Sequence, residues 1–180
     1  MPRFNPVQAP SDRQQALFTT IKANLGGLPN IFQYMGRSPA LLEGYLGLSK
    51  ALAGGRLTGA EREAVALAIA GRNGCDYCAA AHTAVARGFK VAADELTANL
   101  AGASADSRKR ALLRFALALQ SAVGRVDDSE VAAVRAAGYD DEQILEVVGL
   151  VALNLLTNSF NHLVDTPLDF PAVALPAKAA

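Results

Sequence analysis

The sequence predicts an all-α, single-domain protein on three observations. Ala and Leu, both strong helix formers, recur along the whole chain, and alternating β-branched runs are absent. Gly and Pro fall mostly between the periodic segments rather than inside them, where they would weaken or break a helix. At 180 residues the chain can bury one core, and nothing in its length demands a second. The domain is expected over 1–180, with its core at about 11–165 and extended arms at 1–10 and 166–180.

The elements follow in order. Residues 1–10 hold three prolines and read as an extended arm. Ser11 is placed to cap a helix carrying Leu17, Ile21 and Leu25, which Gly26 and Gly27 stop. A short helical piece starts at Leu28-Pro29-Asn30. Ser38 followed by Pro39 gives an N-cap with proline at the first helical position, and that helix runs to about Ala53 before Gly54 and Gly55.

Thr58 opens the next helix with Glu61 three residues later, the spacing of a capping box, so Glu61 has a structural task. Residues 64–70 of this helix are apolar on every side, which requires burial all round and leaves Glu63 at the edge. Asn73-Gly74 breaks the helix and is expected to cap the following one, which carries Cys75 to Arg87 and ends at Gly88. Further helices are expected over 92–100, 107–123, 129–137 and 140–164, separated at Gly102, Gly124 and Gly138. The tail from Pro167 has three prolines and reads as an irregular arm.

Bulk properties narrow the function classes. Seventeen basic and seventeen acidic residues balance, with no long run of one sign, which argues against nucleic acid or an anionic membrane as partner. A hydrophobic share of 51% with only 19% charged residues points to self-association. The first residues have no apolar stretch of signal-peptide length. No segment offers the roughly eighteen uninterrupted apolar residues of a membrane span. The expectation is a soluble, cytoplasmic protein without a membrane partner, in which two cysteines serve chemistry rather than stapling.

The chemistry concentrates in one short segment. At about 100° per residue, Cys75, Cys78 and His82 share one helix face, at roughly 0°, −60° and −20°. Cysteines three apart in a first helical turn can reach disulfide distance with little backbone motion. Backbone N–H groups at the helix start favour the thiolate, the nucleophilic form, and this dipole argument slightly favours Cys75 as the more acidic thiol. His82 lies one turn beyond Cys78, within reach of a proton exchange directly or through one water. Glu63, twelve residues before Cys75, joins the same site if the two helices form a hairpin.

Glu63, Cys75, Cys78 and His82 reproduce a Glu-x11-Cys-x-x-Cys-x-x-x-His pattern. It resembles the signature of the alkylhydroperoxidase D-like (AhpD-like) branch of the carboxymuconolactone decarboxylase superfamily. Leu28-Pro29-Asn30-Ile31-Phe32, Ser38-Pro39 and the stretch from Asn154 to Asp169 look like the peroxidase-related members. The resemblance implies an AhpD-like helical fold, homo-oligomers (trimer or hexamer) and reduction of hydroperoxides through a redox-active Cys75–Cys78 disulfide. No bound cofactor or metal is implied. In the family pattern Cys78 is peroxidatic, Cys75 is the resolving thiol facing an external dithiol of protein or lipoyl type, and Glu63 and His82 relay the proton. Tyr77 stands where well-known members carry a second histidine, which shortens that relay.

Other readings stand beside this one. Two buried thiols can be small hydrophobes, and Cys75, Cys78, His82 and Glu63 are also a possible zinc ligand set, in a zinc-binding or redox-sensing oligomer. A lactone decarboxylase-like lyase would work without the cysteine pair. His162 reads as a surface or interface histidine that can also line the pocket. Asp127-Asp128 and Asp140-Asp141-Glu142 precede helices and suit their dipoles. Arg56, Arg62 and Arg72 flank the candidate site and are expected in salt bridges rather than on an anionic substrate.

Overall fold

A computed structural model describes residues 2–176. Among them the elements are α1 (Asp12–Leu25), α2 (Asn30–Met35), α3 (Pro39–Ala53), α4 (Gly59–Asn73), α5 (Asp76–Gly88), α6 (Ala93–Leu100), α7 (Ser107–Ser121), α8 (Asp128–Ala136) and α9 (Asp141–Val164), with no strand. The all-α expectation holds, and the caps explain why. Ser11 and Thr58 each close a capping box, with Gln14 and Glu61 respectively, satisfying backbone donors that a helix start leaves orphaned. Pro39 sits in the first turn of α3 behind the Ser38 cap.

Helix α4 is the hub and packs against α5, α6, α7 and α9. Its residues 64–70 are all buried, as an apolar circumference requires. Gly71 lets α6 approach it, because a Cβ there would stand 1.9 Å from the Leu100 carbonyl oxygen. Gly74, at φ 69°, turns the chain from α4 into α5 in a left-handed conformation that favours glycine.

Two cores result. One lies between α4, α7, α8 and the first half of α9, and is hydrocarbon throughout apart from Tyr139: Val65, Ile69, Leu112, Leu113, Val134, Val147 and Leu150 are typical. The other packs α1, α2, α3, α5 and α6 against the opposite face of α4, and both cysteines and Tyr77 lie within it. Beside the first core, Glu61 accepts from the Tyr139 hydroxyl at 2.9 Å and pairs with Arg108, so its role is structural, as expected.

Two expectations are corrected. Asn73 does not cap α5; it is the last residue of α4, and Cys75 itself is the N-cap. Helix α7 ends at Ser121 rather than 123, because Val123 takes φ 53° and Gly124 φ 83°. Helix α9 reaches the length and mean hydropathy (1.4) of a membrane span, although no such segment was expected from uninterrupted apolar runs. Of that stretch 44% is buried in the fold, which accounts for part of its apolar character.

The arms are tied down. Val7 N–H donates to the Gln33 carbonyl at 3.1 Å, and Arg3 N–H to that of Val164 at 2.9 Å. At the other end the Asp169 carboxylate accepts from Asn30 N–H at 2.6 Å, and Asn30 Nδ2 donates to the Pro167 carbonyl at 3.1 Å. The tail expectation beyond residue 176 lies outside the described residues.

Candidate functional site

The turn at Gly74 brings α5 back along α4, and the hairpin places Glu63 against His82. Glu63 Oε2 lies 2.8 Å from His82 Nδ1. A carboxylate only accepts, so Nδ1 carries the proton and Nε2 is left as the exchanging nitrogen. Burial works against a charged ring, but the Glu63 carboxylate outweighs it and holds His82 above its ordinary value.

Both cysteines are free thiols, Cys75 1% and Cys78 3% exposed. Their side chains face one another, and Cys75 Sγ also caps α5 by accepting from Cys78 N–H at 3.4 Å. The two thiols divide the charge unequally. The Cys75 thiol donating to Cys78 holds Cys78 below the usual thiol value, against burial, helped by donors from Asn161, Thr157 and Asn158. Cys75 is pushed up, first by that same contact and then by burial. Cys78 is therefore the more acidic thiol, which corrects the dipole argument for Cys75: side-chain donors around Cys78 outweigh the helix end.

Helix α9 supplies what the sequence reading missed. Asn161 Nδ2 donates to Cys78 Sγ at 3.2 Å from a 4% exposed position. One turn earlier Asn158 is fixed by an amide ladder in which Gln120 Nε2 donates to Asn73 Oδ1 at 2.6 Å, and Asn73 Nδ2 to Asn158 Oδ1 at 2.8 Å. With its oxygen so engaged, Asn158 has its buried Nδ2 left to act on the Cys78 sulfur, short of a full hydrogen bond. The signal was present: Asn154, Thr157, Asn158 and Asn161 recur at helical spacing on one face of an otherwise apolar helix.

A cavity of about 300 Å³ opens onto Cys78, His82 and Glu63, with Phe32, Tyr45, Tyr77 and Phe170 among its mainly apolar walls. Tyr45 is pushed up to about 12 by burial, Glu63 and Cys78, which places its phenol beside the reacting groups. Tyr77 is a fixed wall: its oxygen accepts from Ile31 N–H at 3.2 Å and its ring meets Phe170 edge-on at 5.9 Å. Burial raises its pKa, so the phenol keeps its proton near neutrality and relays none. Among the described residues neither His82 nitrogen hydrogen-bonds a sulfur, so a proton from Cys78 must reach Nε2 through a water or the substrate.

The remaining sequence candidates fall elsewhere. His162 is exposed, 3.3 Å from the Gly74 carbonyl, and lines a separate cavity instead of this one. Arg56 pairs with Asp140 at 3.2 Å, whereas Arg62 lines the main cavity and donates to the Leu57 carbonyl rather than to an acid. Among the described residues no three His, Cys, Asp or Glu side chains converge in a way that suits a metal ion.

Residues 39–121 match the carboxymuconolactone decarboxylase family. The fold is similar to the alkylhydroperoxidase AhpD core of an uncharacterized peroxidase-related protein from Ralstonia eutropha: TM-score 0.83, 26% identity, 93% of this chain and 92% of that one. An uncharacterized peroxidase-related protein from a Silicibacter species follows at TM-score 0.81 and 22% identity, covering 92% and 91%. A variant of the debrominase Bmp8 in complex with 2,3,4-tribromopyrrole gives TM-score 0.77 and 24% identity, covering 94% of both chains. No curated protein matches. The matched segment carries Glu63, both cysteines and His82, and the fold around it is the one seen in AhpD-like structures.

Proposed function

We propose that the chain is a thiol-dependent hydroperoxide reductase, cycling through a Cys75–Cys78 disulfide. The observation that carries this reading is a buried thiolate position, Cys78 against Asn161, in an apolar cavity shared with the Glu63–His82 pair. The Cys78 thiolate attacks the terminal peroxide oxygen and the O–O bond breaks. The alkoxide takes a proton relayed from His82 and leaves as an alcohol, and Cys78 becomes a sulfenic acid. Cys75 sulfur then displaces that oxygen as water, forming the disulfide, and an external dithiol restores both thiols while becoming a disulfide itself. Apolar walls suit an alkyl or aryl hydroperoxide better than hydrogen peroxide.

Thiol counting after one equivalent of cumene hydroperoxide tests this. Two thiols per chain are expected to disappear; two surviving thiols, while a simple reactive thiol is oxidised in parallel, overturn it. Turnover of a lactone that survives Cys75→Ser and Cys78→Ser would establish the lyase reading instead. The aromatic walls favour one second reading, reductive dehalogenation of a halogenated heteroaromatic, since a debrominase bound to 2,3,4-tribromopyrrole has a similar fold. The same two thiols would supply the electrons, and halide release would identify it.

The cycle as proposed needs no bound cofactor. Its place is the cytoplasm, where dithiol reductants are abundant. Leu145, Val148 and Leu155 form an exposed apolar stripe on α9, and we place the homo-oligomer contact there.

A further inference from the structure

The main cavity holds a cation that the proposed cycle leaves idle. Among its charged lining residues Glu63 and His82 engage each other at 2.8 Å, and the third is Arg62, beside Glu63 on α4. Among the described residues only two arginines, Arg62 and Arg108, are half-buried; the rest are exposed, where water serves the guanidinium. Arg108 is paired with Glu61. Arg62 has no acid among the described residues, and its one hydrogen-bond partner there is the Leu57 carbonyl, to which Nη1 donates. Nε and Nη2, which form one edge of the guanidinium, are left without a partner and open to solvent, so a ligand can meet them.

The α4–α5 hairpin sets how far this edge stands from the sulfur. Cys78 lies one turn from His82 toward the Gly74 bend, and Arg62 lies one residue from Glu63 the opposite way. At about 1.5 Å per residue the two positions are about 7–8 Å apart along the helices. The bond to Leu57 draws the guanidinium back toward the start of α4, which lengthens the span. Ala66 and Ala81 line the stretch between, and the remaining walls are mainly apolar. The cavity thus offers a sulfur at one end, a hydrocarbon middle and an unmatched positive charge at the other. A half-buried charge without a counter-ion is costly, and a ligand that supplies one gains more there than its neutral analogue.

We propose that Arg62 determines the specificity of this cavity, and that the substrate is a hydroperoxide bearing a carboxylate at the end remote from the peroxide. The two carboxylate oxygens take the open Nε–Nη2 edge, whose parallel donors fit them. The apolar body fills the middle of the cavity, and the terminal peroxide oxygen reaches Cys78. One unpaired cation matches one negative charge, whereas a phosphate dianion would leave charge uncompensated among apolar walls. The chemistry balances as in the cycle above: two thiols become the disulfide, the hydroperoxide becomes a hydroxy acid and water, and the carboxylate leaves unchanged. The inference rests on the proposed hydroperoxide reductase.

The test compares two cumene hydroperoxides of the same shape, one with a para carboxylate and one with a para carboxamide. Thiol loss in the full-length chain is followed by quenched flow over a range of peroxide concentrations. The carboxylate is expected to react about tenfold faster at limiting concentration, through a lower half-saturating concentration, as one charge-assisted pair would give. Arg62→Gln is expected to bring the ratio close to one. Arg62→Lys keeps the charge but loses the planar edge, and is expected to leave the ratio in between. A ratio near one in the unaltered chain overturns the proposal, as does a carboxylate preference that survives Arg62→Gln. Calorimetry with the unreactive pair para-isopropylbenzoate and para-isopropylbenzamide reads the same preference without turnover. Thiols that neither peroxide oxidises, beside a benzoate preference that Arg62→Gln abolishes, sink the hydroperoxide reading and leave the anion site standing; without that preference both fall.

Discussion

The two halves of α9 are packed alike and built from different chemistry. Its first half turns Ile144, Val147, Leu150 and Val151 inward onto hydrocarbon, and its second half turns Asn154, Thr157, Asn158 and Asn161 inward onto the cysteine turn. Buried amides are hard to justify as packing, since each must find partners that a leucine would not need. The difference teaches that stability and chemistry have been assigned to separate stretches of one helix. Substitutions on either side of Val151 are therefore expected to fail in different ways.

The sharpest division comes from Cys78→Ser, expected to lower peroxide turnover at least about 10³-fold with the melting temperature almost unmoved, by coupled peroxidase assay and calorimetry. The reverse pattern belongs to the hydrocarbon core. Leu112→Ala, at a fully buried site, is expected to cost about 2–5 kcal/mol by denaturant titration while the folded fraction keeps its thiol reactivity. Loss of both properties in either variant would erase the contrast.

Asn161→Leu crosses the boundary by giving the second half the chemistry of the first. Cys78 is held below the ordinary thiol value of 9.0, so its alkylation rate climbs with pH and levels off early. Removing a donor to a charged sulfur is expected to move that midpoint up by about one unit, with stability little changed because a satisfied apolar side chain replaces a half-satisfied amide. An unmoved midpoint in a folded variant would reduce Asn161 to packing.

The smallest effect concerns pH and stability. His82 is held above its ordinary 6.5 in the folded chain, so its contribution is complete below that value and is lost as pH rises through the raised one. Glu63→Gln is expected to flatten this fall in urea titrations. A fall that persists would assign it to another group.

Much of this was legible in the chain. Helix boundaries stood close to the caps at Ser11, Ser38 and Thr58 because capping is local chemistry, written within four residues. The meeting of Glu63 with His82 followed from hairpin geometry alone. What escaped was long-range. Asn161 reaches Cys78 across 83 positions and Gln120 reaches Asn73 across 47, and no local pattern encodes such encounters. Asn73 was misassigned as a cap for the same reason, because its side chain is engaged by distant amides rather than by the neighbouring turn.

Chain order gives the amide wall one more consequence. A ribosome makes the cysteine turn well before it makes residues 154–170, and until those emerge Cys78 lacks the Asn161 donor, Tyr77 lacks Phe170, and Asn30 lacks Asp169. In a nascent chain Cys78 therefore lacks the α9 donors that add to the effect of Cys75 on its acidity. Completion of the cysteine surroundings is thereby coupled to the docking of α9.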